Sequence, residues 1–139
     1  MMRALAVSET RVMPASPPGR IGQIALSVTD MQRSIAFWRD TVGLRFLFEA
    51  PNVAFFDVAG VRLMLGAAES DAKVAGTTLY FETTDIGASF AAIRDRGAKV
   101  AKGGEPHFIA KLGAKDLWMG FLEDPDGHVF ALMEERANG

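Results

Sequence analysis

Two stretches of this chain carry the same alternation of apolar and polar positions, each followed by the same helical spacing. In Gln23-Ile24-Ala25-Leu26-Ser27-Val28, the apolar residues Ile24, Leu26 and Val28 fall on one face of an extended segment. Met31, Ile35 and Trp38 then recur at helical intervals and predict an amphipathic helix behind that strand. The second stretch, TLYFETTDIGASFAAIRDRGAKV from Thr78 to Val100, repeats the pattern with Ile86, Phe90 and Ile93. Asp30 and Asp85 stand where a carboxylate accepts from the free N–H groups of a first helical turn. Gly43 and Gly97 stand where a helix closes in left-handed backbone. Superposing the stretches also pairs Thr29 with Thr84, Ser34 with Ser89, and Arg39-Asp40 with Arg94-Asp95.

Three strands are expected after each helix: 44–49, 53–58 and 61–66 in the first copy, then 98–101, 117–123 and 128–134 in the second. DVAGV and EDPDGH read as the hairpin turns between them. VRLML after Gly60 is echoed by HVFALM after Gly127, a second sign of duplication. The Gly- and Pro-punctuated stretch from Gly103 to Trp118 reads as a loop. The predicted unit is therefore βαβββ, present twice, near 22–70 and 76–135, within one domain over 20–135. Residues 1–19 are expected to form a mobile tail. The apolar piece Ala4 to Val7 is too short for a signal sequence, and Pro14, Pro17, Pro18 and Gly19 break any helix.

Composition narrows the function classes. A length of 139 residues, 49% hydrophobic and 23% charged, suits one ordinary globular domain. A formal net charge of −2 gives no pull toward nucleic acid or an anionic membrane, and no apolar run approaches the ~20 residues of a membrane helix. The absence of cysteine removes disulfides, thiolate nucleophiles and cysteine-ligated metals, and fits a reducing cytoplasm. No phosphate-binding glycine loop, Gly-x-Ser-x-Gly elbow or His-Glu-x-x-His pair is present.

A duplicated βαβββ unit containing DMQRSIAFWRDTVGL, FFDVAGVRLML and WMGFLEDPDGHVFALME resembles the vicinal oxygen chelate superfamily over about residues 20–135. That group includes glyoxalase I, extradiol dioxygenases and bleomycin-resistance proteins. The resemblance implies an α+β fold in which two tandem βαβββ modules form a cup-shaped, mostly antiparallel sheet with the helices outside. It also implies a homodimer. In metal-dependent members, a histidine opens the first strand of each module and a glutamate or histidine lies on the last. Two imidazoles and two carboxylates then leave open positions for vicinal substrate oxygens. The resemblance places these positions at Gln23 and Thr78, and at Met64 and Ala131. None is a ligand of the family's type, so the expectation is no cofactor and no metal, the alternative being a weakly bound divalent ion.

Strand parity then defines the pocket expected inside the cup. Arg62 and Gly66 share a face with Met64, Tyr80 and Glu82 with Thr78, and Val129 and Met133 with Ala131. Gln23, Arg62, Met64, Thr78, Tyr80 and Ala131 are accordingly the ligand-binding candidates, joined by His107 and Trp118 from the stretch before the seventh strand. Arg62 either meets a ligand carboxylate or phosphate, or pairs with Glu49 or Asp57 on a neighbouring strand, the commoner outcome. Glu82 is either a carboxyl held in an apolar cup or, the favoured reading, a solvated strand end. The other histidine, His128, is expected at the surface or at a strand edge.

Two function classes stay open. One is metal-independent binding of a small apolar or aromatic molecule, as in the antibiotic-sequestering members of that superfamily. The alternative is a glyoxalase-like lyase, isomerase or dioxygenase acting on a small oxygenated compound, so whether the chain is an enzyme is undecided at this level.

Overall fold

Both repeats fold through the same local choices. The computed structural model describes residues 20–68 and 78–138, and the tail expected at 1–19 lies outside the described residues. In β1 (Gln23–Val28), Leu26 and Val28 are buried and the intervening side chains face away from the core. Asp30 leaves the strand in extended backbone, and its carboxylate accepts from the Arg33 N–H at 3.1 Å, opening α1 (Met31–Ala36).

The regular helix does not run through Trp38 as the spacing predicts. Phe37–Val42 is π-helical, and the Trp38 carbonyl accepts from both Gly43 N (3.1 Å) and Leu44 N (2.8 Å). Gly43 closes the turn at φ +93°. The wider turn buries the consecutive residues Phe37 and Trp38 together, an arrangement that a 3.6-residue period does not mark.

β2 (Arg45–Ala50), β3 (Val53–Val58) and β4 (Val61–Ala67) complete the first module. Ala59 and Gly60, both at positive φ, form the two-residue turn between β3 and β4. The sheet order is β1-β4-β3-β2, with β1 parallel to β4 and the remaining pairs antiparallel.

The second module repeats this plan with β5 (Leu79–Glu82), α2 (Ile86–Asp95), β6 (Lys99–Val100), β8 (Lys115–Glu123) and β9 (Val129–Ala137), in the order β5-β9-β8-β6. An additional strand, β7 (His107–Leu112), pairs antiparallel with β8 and corrects the loop expected there. Phe108, Ile109 and Leu112 are all exposed, and a bulge between Phe108 and Ala110 breaks the two-residue period by which a half-buried strand is recognised.

The modules share one core. The rings of Phe37 and Trp38 pack on Phe130, and Trp38 also meets Phe81, with centroids 5.0 Å (Trp38–Phe130) and 6.1 Å (Trp38–Phe81) apart. Beside them, the β8–β9 turn reaches back to the first module. Asp126 accepts from the Thr29 N–H (3.1 Å), the Thr29 hydroxyl and the Ser34 hydroxyl (3.3 Å), and pairs with Arg33 (3.5 Å). With the helices on the core side, the opposite face of each sheet is left open.

Candidate functional site

The parallel register of each first strand on the last strand of its module builds the site. On the first sheet, Gln23 lies beside Arg62 and Ala25 beside Met64; on the second, Tyr80 lies beside Ala131 and Glu82 beside Met133. Ala25–Met64 and Tyr80–Ala131 are equivalent pairs in the two repeats, so the structure reproduces the internal alignment at the residue level.

On the first open face, Arg62 is held from two sides. Its Nε–H donates to the Gln23 side-chain carbonyl at 2.9 Å, and its guanidinium carbon lies 5.3 Å from the Phe55 ring centroid. Phe55 in turn packs on Phe48 with centroids 4.8 Å apart. The Gln23 amide N–H points to the Met64 sulfur at 3.8 Å. Neither expected carboxylate partner pairs with Arg62. Glu49 accepts from the Gln32 amide at 2.8 Å and Asp57 from the Gly60 N–H at 3.3 Å, and Arg62 makes no ion pair among the described residues.

On the second open face, Tyr80 is 52% exposed, so its hydroxyl has water available and needs no buried partner. Glu82 is exposed at the strand end. His107 opens β7 on this face opposite Met119. Its Nδ1–H donates to the Glu105 carbonyl at 2.7 Å, and its ring lies 6.4 Å from that of Phe121. Ala131 is fully buried. Trp118 falls on the core face opposite Glu134, packed on the core cluster between Arg136 (4.5 Å) and Phe108 (6.3 Å).

The starts of β1, β4 and β5 converge on a cleft of about 330 Å³. Its walls are Ile24, Val58, Val61, Leu63, Leu79 and Phe81, and its polar groups come from Arg62, Thr78 and Tyr80. The structure therefore gathers three candidates directly and attaches Gln23 through Arg62 and Met64 through Gln23. His107, Trp118 and Ala131 do not line it. Sequence reasoning missed Phe48 and Phe55. The doublet Phe55-Phe56 carried the signal, since adjacent strand residues must face opposite sides.

The four positions to which the resemblance assigns a metal offer a poor donor set for a divalent cation. Ala131 has no donor atom, Met64 offers only a thioether, and the Gln23 carbonyl oxygen already accepts from Arg62. Among the described residues, one other group, Asp124, Asp126 and His128, brings potential ligand atoms together. Its acceptors are engaged: Asp124 takes the Asp126 N–H (3.0 Å), the His128 N–H (2.8 Å) and His128 Nδ1–H (2.7 Å), while Asp126 holds the first module. His128, with its side chain 9% exposed, is thus a half-buried partner of Asp124 immediately before β9; of the surface or strand-edge position expected for it, the free surface position is corrected.

Duplicated βαβββ modules with open-faced sheets define the class of protein, and the comparisons agree. A family model described as Glyoxalase/Bleomycin resistance protein/Dioxygenase superfamily matches residues 20–132, and the chain belongs to that superfamily. A superfamily member from Sphaerobacter thermophilus DSM 20745 superposes with a TM-score of 0.70 at 23% identity, covering 85% of this chain and 98% of that one. A glyoxalase/bleomycin resistance protein/dioxygenase from Alicyclobacillus acidocaldarius gives 0.69 at 14% identity, covering 86% and 93%. A lactoylglutathione lyase from Agrobacterium tumefaciens gives 0.64 at 21% identity, covering 85% and 95%. At these identities the likeness establishes the shared fold. Among the described residues, no helix is long and apolar enough to cross a membrane.

Proposed function

We propose that this protein binds a small apolar or aromatic molecule, without a resident metal ion, and works as a cytoplasmic homodimer. The observation that carries this reading is the cleft at the starts of β1, β4 and β5. It has apolar walls and a few convergent polar groups, at a volume near the lower end of small-molecule sites. The alternative, a lyase, isomerase or dioxygenase, would draw its electrophile from a metal at the four family positions. Gln23, Met64, Thr78 and Ala131 support it poorly, because a hard or borderline ion needs carboxylate or imidazole donors there.

The test has two arms. Purified protein is equilibrated with Ni²⁺, Zn²⁺, Mn²⁺ and Fe²⁺, desalted and analysed for metal; substoichiometric retention is expected, and one ion per chain overturns the metal-free reading. The neutral fluorophore N-phenyl-1-naphthylamine is then titrated against the protein. Saturable binding that is lost in Val61→Arg, which sets a long charged chain on the cleft wall, is expected. Absence of saturable binding counts against the binding reading.

A further inference from the structure

Resting on the cleft as a ligand site, we infer that its ligand is anionic: an apolar or aromatic body carrying one carboxylate or comparable oxyanion, received by Arg62. A cation on a cleft wall ordinarily finds a carboxylate on a neighbouring strand, and one stands directly in register. Asp57 is directly opposite Arg62 on β3, whereas Glu49 pairs with the buried Ala54 and so lies on the other face of the sheet. Both are turned to other donors, Asp57 to Gly60 N–H and Glu49 to the Gln32 amide. No carboxylate lines the cleft, and Arg62 is the one cation that does so among the described residues.

What holds Arg62 is neutral. The Gln23 amide takes its Nε–H and the Phe55 ring lies beside the guanidinium, so the side chain is oriented without its charge being cancelled. A guanidinium fixed at Nε still presents its terminal N–H groups as a fork that matches the two oxygens of a carboxylate. Gln23 thus acts as a positioning residue: glutamate there would satisfy the same Nε–H but neutralise the charge. The hydroxyls of Thr78 and Tyr80 lie on the same cleft, and Ile24, Leu63, Leu79 and Phe81 provide the wall for the apolar body.

Displacement of N-phenyl-1-naphthylamine by 4-phenylbutyrate and by 4-phenylbutanol tests this, since the two competitors share a body and differ in charge. The carboxylate is expected to displace the fluorophore at a concentration at least about tenfold lower than the alcohol, the scale of a charge-assisted pair. That ratio should shrink as ionic strength rises. It should collapse toward one in Arg62→Met and in Gln23→Glu, and persist in Lys111→Met, which removes an exposed cation of β7. Equal displacement by the two competitors, or a ratio that survives Arg62→Met, overturns the anion assignment and leaves the binding reading standing. A protein that fails to bind the fluorophore at all takes down both.

Discussion

Gln23 and Trp38 show how far a single side chain can be read at the residue scale. Gln23 opens β1 as a polar residue in an apolar strand, and its work is to hold the Arg62 Nε–H. Trp38 is the opposite case. Its spacing marks it as core, and it is fully buried, yet its indole N–H has no partner among the described residues. An orphaned buried donor costs about 1–3 kcal/mol. Trp38→Phe removes that donor while keeping a ring against Phe81 and Phe130, so the expected loss is under about 1.5 kcal/mol. Trp38→Ala removes the ring as well and should cost about 3–5 kcal/mol. Urea unfolding of the two variants checks this; equal losses would contradict it.

Helix α2 carries the prediction at the scale of an element. Its first free N–H groups go to two carboxylates, Ala88 N–H to Asp85 (3.1 Å) and Ile86 N–H to Glu134 of β9 (2.8 Å). The Ile86 N–H, and after it the Arg136 guanidinium, lower the pKa of Glu134 below the usual glutamate range. A carboxyl whose folded pKa is depressed contributes its stability in full above its unfolded pKa and loses it as pH falls through the folded value. Wild type should therefore be more stable than Glu134→Gln at neutral pH, and the two should converge in acid. Urea midpoints measured across pH give the result, and a constant difference down to the acid limit would contradict it. The capping half of this contact was legible, because Asp85 precedes a helical pattern. The Glu134 half was not, because β9 is far along the chain and reaches α2 only once the sheet has formed.

For the whole molecule, the sheet orders matter most. Among the described residues β1 and β5 are edge strands, and the open faces expose large apolar side chains such as Phe48 and Tyr80. Edge strands beside apolar faces favour a partner. A two-fold operator that packs these surfaces of one copy against the same surfaces of another would cover them in both chains at once. Light scattering behind gel filtration should report twice the 15.0 kDa chain mass at micromolar concentration. A monomer at that concentration would remove the dimer from the proposed function.

By itself the sequence determined the duplication, the βαβββ order common to both modules and the helix caps at Asp30 and Asp85. It also determined which strand residues share a face and that Met64 and Ala131 are equivalent positions of the two repeats; the register that sets Ala25 beside Met64 and Tyr80 beside Ala131 came from the structure. The properties read from the chain are local: a period of two or of 3.6 residues, and a carboxylate within reach of its own helix. The tertiary structure alone decided the π-helical turn at Phe37–Val42, the bulged strand β7, the pairing of His128 with Asp124, and the partner of Arg62. Each of these is a choice among several neighbours that strand register brings within a few ångströms. Distance and competition for hydrogen-bond donors settle such choices, and neither leaves a period in the chain.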